Sequence, residues 1–230
     1  MRKRNLAVLI VAGVVAIGAA AAIGGPLVYR NAAADAAAPA PTVTLDSAAT
    51  SGAPIDAADV DGGWHVGDGS YAGYRVDEVL NGVDATVVGR TAKVTGEVTV
   101  TDQTVAAASI TVDVASIATD QGSRDSYFRN TAMQTFRYPT ATFVLTQPVA
   151  ATSTPRTGAT QTVTATGDLT LANKTRPVTV RMDAAFDGTH AQVVGRIPIT
   201  FTDFGVQPPS LGFVRVEDNG FVEFSLTLTR

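Results

Sequence analysis

Val222-Glu223-Phe224-Ser225-Leu226-Thr227-Leu228-Thr229 alternates apolar and polar residues without a break. Successive side chains of a strand point to opposite faces, so this stretch presents one apolar and one polar face, the pattern of a half-buried β-strand. Val94, Gly96, Val98 and Val100 interleave in the same way with Thr95, Glu97, Thr99 and Thr101, and Ile110, Val112 and Val114 with Ser109, Thr111 and Asp113. Val178, Val180 and Met182 repeat the theme. Enrichment in Val and Thr adds β propensity, and Asp102-Gln103, Asn173-Lys174 and Asp187-Gly188 separate the runs as turns. The expected class is all-β and antiparallel, with a final strand over 221–229 whose Val222, Phe224, Leu226 and Leu228 share the buried face. Such a sheet covers its apolar face with a second sheet or by curling into a barrel, and periodicity alone does not choose between them.

One segment, from about Ser123 to Phe136, interrupts the alternation. Its start predicts a short helix with Ser123 as cap and Asp125 in the positive first turn. Five of the fourteen aromatic residues beyond position 60 fall within seventeen residues here: Tyr127, Phe128, Phe136, Tyr138 and Phe143. Beside a barrel mouth, so dense a cluster would serve as a lid or a wall.

The N-terminus has a different character. Arg2, Lys3 and Arg4 precede an uncharged run from Leu6 to Tyr29, which as a helix spans ~36 Å against a ~30 Å hydrocarbon core. The basic end favours a cytoplasmic N-terminus at 1–5, a transmembrane signal anchor at 6–29, and everything after Arg30 outside. The alternative is a cleaved signal peptide, for which Ala32-Ala33-Ala34 and Ala36-Ala37-Ala38 supply small residues. Residues 30–61, rich in Ala, Pro, Asp, Ser and Thr and without an aromatic, read as a flexible linker carrying no core residue. As a coil it places the following domain ~30 Å from the membrane, and fully extended ~100 Å.

Residues 62–230 suit one domain that folds without covalent staples, and the chain has no cysteine. Beyond position 30, thirteen basic residues stand against twenty-one acidic ones. That excess argues against nucleic acid and against adhesion to anionic lipid.

Several motifs across this domain occur in a recognisable order: Trp64-His65-Val66, then Ser116-Ile117-Ala118-Thr119 followed by Arg124-Asp125, then Tyr138-Pro139-Thr140-Ala141-Thr142-Phe143. Next come Gly167-Asp168-Leu169-Thr170-Leu171-Ala172-Asn173-Lys174-Thr175 and Thr202-Asp203-Phe204-Gly205-Val206. In this the chain resembles the YceI-like family, extracytoplasmic proteins whose lipocalin-like barrel binds polyisoprenoid lipids. Gly69-Ser70 stands where the family commonly has His-Ser, a departure that leaves the fold unaffected. The resemblance implies an antiparallel lipocalin-like β-barrel with a short helical insert, and an isoprenoid lipid or isoprenoid quinone as partner. It also implies that the insert aromatics line a ligand cavity: Phe128, Phe136 and Phe143 first, then Tyr127, Tyr138 and Met133. Arg124 and Asp125 would order the insert against the barrel rim.

Reactive chemistry has little to work with. His65 and His190 are the only histidines and stand in no metal-ligand spacing. No G-x-S-x-G elbow occurs, and Glu78, Glu97, Glu217 and Glu223 read as solvated acids more readily than as a catalytic pair. Asp203-Phe204-Gly205 reads as a turn or bulge, and Asn173-Lys174-Thr175 as a hairpin turn more readily than as a glycosylation site. No catalytic residue, metal or cofactor is expected. A bound apolar lipid fits such a domain, and a stalked structural or adhesive domain with a filled core is the alternative.

Overall fold

The computed structural model describes residues 37–45, 52–80, 82–212 and 214–230. The basic end expected at 1–5 and the membrane helix expected at 6–29 lie outside them. Among the described residues no helix is long and apolar enough to cross a membrane.

The strands in chain order are β1 (Gly62–Val66), β2 (Tyr71–Leu80), β3 (Val83–Thr91), β4 (Val94–Thr101), β5 (Thr104–Asp113), β6 (Thr140–Leu145), β7 (Val149–Ala150), β8 (Gln161–Leu171), β9 (Lys174–Phe186), β10 (Ala191–Thr200), β11 (Ser210–Leu211) and β12 (Val214–Thr229). The order β1-β4-β5-β6-β8-β9-β10-β12 returns to its start because β12 also pairs β1, with His65 opposite Thr229 and Val66 opposite Leu228. Eight antiparallel strands thus form a closed barrel, which answers the question that periodicity left open. The hairpin of β2 and β3 carries the wall on past β1 and β4, pairing along β12 from Ser225 back to Val214.

Turn chemistry follows the local sequence. Asp102 and Gln103 both have positive φ and join β4 to β5 in a two-residue turn, the form that matches strand twist. The β8–β9 turn is Ala172-Asn173, also with positive φ at both positions, so Lys174 already belongs to β9 and the turn falls one residue earlier than the sequence suggested. At the β9–β10 turn the Asp187 carboxylate accepts the backbone N–H groups of Thr189 and His190 at 2.8 and 2.7 Å. Those bonds hold its pKa low despite the opposing effect of burial.

One end of the barrel is packed shut. Trp64, Phe186, Val98, Leu226 and Leu228 fill it, with the Trp64 and Phe186 rings edge to face at 6.0 Å. The Trp64 indole N–H donates to the Val60 carbonyl at 2.8 Å, and the Arg230 guanidinium lies 5.0 Å from its ring centre. The linker contributes here, contrary to expectation. Ile55 is buried in this cluster, and the short helix α1 (Ala57–Val60) leads the chain from it into β1. A single Ile can join a core without a surrounding apolar run, which is why composition did not reveal it.

A second part of the linker is also placed. Residues 37–45 cross the outside of the barrel as a strap, its two ends held by side chains from three strands. Arg75 and Arg90 donate to the carbonyls of Ala38 and Pro39, both at 2.5 Å, while the Gln192 side-chain oxygen accepts the N–H groups of Thr44 and Leu45 at 2.7 and 3.1 Å. The polar face of β12 is therefore buried along its middle. Glu223 is 0% exposed, held by Arg75 at 2.7 Å and Arg90 at 3.5 Å, and Ser225 is buried beside it. Val222, Phe224, Leu226 and Leu228 do point into the barrel. It is Glu223 that corrects the sequence reading, because its face is covered and its charge paired instead of solvated.

Candidate functional site

The other end of the barrel keeps a cavity of about 450 Å³, within the usual range for small-molecule sites. Three pieces of chain supply most of its lining. The inward face of β2 supplies Ala72, Tyr74, Val76 and Glu78; the insert supplies Arg124, Tyr127, Phe128 and Met133; the segment after β10 supplies Phe201, Phe204 and Val206. Apolar side chains dominate this lining, and the polar exceptions are Tyr74, Glu78, Gln121, Ser123, Arg124, Tyr127 and Gln207. Ser123 and Gln207 are exposed, which puts the cavity's rim at the protein surface. At the ~30 Å³ that a water occupies in the liquid, the space holds roughly fifteen groups of that size.

The insert is built from Thr119 onwards. The Asp125 carboxylate accepts the Thr119 N–H at 2.9 Å and its hydroxyl at 2.8 Å, and the Thr119 hydroxyl accepts the Gln121 N–H at 3.1 Å. The helix α2 (Gly122–Tyr127) follows, with Gln121 at its cap position and no side-chain capping bond. Ser123 is thus inside the first turn and does not cap it, because the Thr119–Asp125 bonds already fix the entry. Past α2 the backbone widens into a π-turn over Phe128–Ala132, with the Met133 N–H reaching the Phe128 carbonyl at 2.9 Å. This irregularity, of a kind common at functional sites, sets Phe128, Ala132 and Met133 along the cavity wall.

Phe128 stacks on Tyr74, ring centres 4.9 Å apart and planes 19° from parallel. Gly89 on the neighbouring strand makes room for that ring: a Cβ there would stand 2.5 Å from Tyr74 Cε1. Burial pushes the Tyr74 phenol pKa well up, and the Asp125, Glu78 and Asp120 carboxylates add to the shift while Arg124 opposes it. The phenol therefore stays protonated at physiological pH and remains a hydrogen-bond donor.

Glu78 is the second surprise among the acids. It lies on the inward face of β2, buried, with the Arg124 guanidinium 3.0 Å from its carboxylate. Arg124 also bonds Asp120 at 2.7 Å. Arg124 and Asp125, adjacent in sequence, thus turn to different partners: one joins the insert to the barrel wall, the other stabilises the insert's own start.

The remaining aromatics fall elsewhere. Phe136, read from the sequence as a lining residue, is 78% exposed, because it follows the turn at Gln134, where φ is positive. Tyr138 is half-buried beneath Arg137, which sits 5.5 Å from its ring centre, and does not line the cavity. Phe143 packs in the barrel core over Gly167, where a Cβ would strike its ring, and is outside the lining as well. Clustering in sequence did not separate these three from Tyr127, Phe128 and Met133; of β6 only Ala141 reaches the lining. Missed entirely were Tyr74, Glu78 and the Phe201–Val206 segment. Tyr74, Val76, Glu78 and Leu80 do keep strand phase, so an acid inside an apolar set was a readable signal.

Among the described residues no group of three or more His, Cys, Asp or Glu side chains is placed to hold a metal ion.

The YceI-like domain model matches residues 64–228. The chain belongs to the YceI-like family. Among solved structures, the BcnA crystal structure from Burkholderia cenocepacia is similar at 24% identity and a TM-score of 0.54, covering 67% of this chain and 95% of that one. A polyisoprenoid-binding domain from Saccharophagus degradans, implicated in plant cell wall breakdown, aligns at 14% identity and a TM-score of 0.55, covering 72% of this chain and 97% of that one. At such identities these likenesses establish the YceI-like barrel and nothing finer. None of the curated proteins matches the sequence.

Proposed function

We propose that this YceI-like domain is a binding protein that holds an apolar isoprenoid lipid, a polyisoprenoid or an isoprenoid quinone, in the cavity beneath its insert. The observation that carries the proposal is the cavity itself. About 450 Å³ of apolar-lined space stands at one end of a barrel whose other end is filled by Trp64, Phe186 and their neighbours. A protein this size normally packs its interior to the density of an organic crystal. Such a space serves a ligand better than it serves stability, and that weighs against a stalked adhesive domain with a filled core.

An apolar chain placed there is stabilised by ~25 cal/mol for each Å² removed from water, and the lining offers few polar groups that desolvation would penalise. The likeness to a domain described as polyisoprenoid-binding supports the choice of lipid class. The reading is of a carrier and not an enzyme. We place the domain outside the cytoplasmic membrane, held by an anchor at 6–29, on the strength of the basic residues before that apolar run.

Organic extraction of the full chain, purified without added lipid, followed by mass spectrometry, tests the proposal. An isoprenoid recovered near one equivalent is expected; protein free of any apolar molecule after mild purification would contradict it.

A further inference from the structure

Phe136 is the most exposed large apolar side chain among the described residues, at 78%. Its backbone surroundings are fixed: the Thr135 N–H donates to the Arg129 carbonyl at 2.8 Å, and the Arg137 and Tyr138 N–H groups donate to the Gln134 carbonyl at 2.8 and 3.1 Å. The ring is thus held out by a bonded turn, beside Arg129 and just past Met133 of the cavity wall. Charge here differs from that of the domain as a whole. From Ser126 to Gly167 the sequence has no acidic residue. Arg129 and Arg137 fall in that stretch, and neither makes an ion pair among the described residues. Asp120, the exposed acid before the insert helix, is bonded to Arg124.

The strap bears on where this surface sits. The Arg90 side chain holds the Pro39 carbonyl, while the Arg90 backbone pairs with Ala118 at the base of the insert, at 3.0 and 3.1 Å. The chain therefore reaches the barrel beside the insert. With a membrane span ending at Tyr29, residues 30–37 reach at most about 30 Å, against ~100 Å for the linker undocked. A domain of this size has a radius of gyration of about 15 Å, so the bilayer lies within about one domain width of the strap's attachment.

From these observations we infer that Phe136, flanked by Arg129 and Arg137, is the surface on which the domain rests against the bilayer, bringing the insert that walls the cavity up to the lipid. The inference rests on the anchor at 6–29 and deepens that reading. An aromatic ring suits the apolar side of a membrane interface, and the guanidinium groups suit the phosphates beside it. One ring and two cations bind a membrane weakly on their own. A short tether supplies the rest by holding the domain at high effective concentration over the surface. The excess of acids elsewhere on the domain opposes adhesion there, which leaves this stretch as the contact. Phe136 stands outside the cavity lining, so it governs where the insert sits and not how tightly a ligand is held.

Tryptophan quenching tests this on the full chain in vesicles of phosphatidylcholine and phosphatidylglycerol, with bromine on the phosphatidylcholine acyl chains. Trp64, the single tryptophan, is buried in the closed end and gives the background. Phe136→Trp, at an exposed position, should lose most of its added emission to the bromines, compared with ordinary vesicles. His65→Trp, exposed on β1 at the closed end, should keep its emission. Arg129→Gln together with Arg137→Gln should restore emission to the Phe136→Trp chain. Protein that floats with the vesicles yet shows no quenching at position 136, equal quenching at both positions, or quenching that loss of the two arginines leaves unmoved overturns the inference. Protein that does not float with the vesicles overturns the anchor reading, and the inference with it.

Discussion

The rings of Tyr74 and Phe128 lie face to face with centres 4.9 Å apart, one carried by the barrel wall and the other by the insert. The stack closes one side of the cavity and ties its two halves together. Phe128→Ala removes that wall, and burying such a ring against a ligand is worth ~1.5–3 kcal/mol, so lipid occupancy should fall about ten-fold or more. Phe136→Ala, at a ring 78% exposed, should change neither occupancy nor melting temperature. Native mass spectrometry beside a thermal melt for each variant checks both.

Phe143 provides the contrasting case. Its ring packs on Gly167 within the barrel and outside the cavity lining. Phe143→Ala should lower stability by ~2–3 kcal/mol, somewhat under the ~3–5 typical of a fully buried ring. Occupancy of the molecules that remain folded should be unchanged. Denaturant unfolding and lipid content, measured on the same sample, separate the two effects.

Tyr74 should resist alkaline titration. Its pKa in the folded protein is raised above the ordinary 10.0, chiefly by burial. Above pH 10 an unfolded tyrosine gives up its proton while the folded one keeps it, so the fold loses stability as pH rises past 10. In linkage terms the contribution is complete below the unfolded pKa and is lost as pH rises through the folded one. Wild type and Tyr74→Phe should show the same tyrosinate absorbance up to about pH 11, and differ by one tyrosine once guanidinium unfolds both. A folded wild type that already shows the extra tyrosinate near pH 10 would mean an accessible phenol.

The strap should be part of the folded unit. Removing residues 1–36 leaves the bonds from Arg75, Arg90 and Gln192 to residues 38–45 intact. That form should melt with the domain of the full chain. Removing residues 1–45 uncovers Glu223 and its two arginines and forfeits these bonds, each worth ~0.5–1.5 kcal/mol net and more where a charge takes part. A loss of about 2 kcal/mol or more is expected from denaturant unfolding of the shorter form. Arg75→Ala, which leaves the fully buried Glu223 on Arg90 alone, should cost ~3–5 kcal/mol.

The inward faces of the strands were legible because the barrel interior is continuous: each strand meets apolar neighbours on one side, and period two survives from Val222 to Leu228. Glu223 shows where that reasoning stops. Its cover comes from residues 37–45, some 180 positions earlier, and a segment of Ala, Pro and Thr that docks mainly through its backbone leaves no hydrophobic trace. Ile55 escaped for a related reason, as a lone apolar residue in a polar stretch. At the site, the helical insert was legible as a break in alternation, yet which aromatics face inward depends on the π-turn after α2 and the turn at Gln134. Neither has a sequence signature, so Phe136 and Phe128 looked equivalent. Glu78 was read as solvated and so missed, although a charge in register with Tyr74 and Val76 was a signal that could have marked the inner face of β2.

The most direct test is to fill the cavity. Ala132 lines it from the π-turn, and Ala132→Trp would put an indole into space that the ligand needs. Lipid co-purifying with the full chain should be present in the wild type and missing from the variant, while the melting temperature of the variant equals or exceeds that of wild-type protein stripped of lipid. A variant that folds with the indole in place and still carries a full equivalent of lipid would contradict the assignment of this cavity as the binding site.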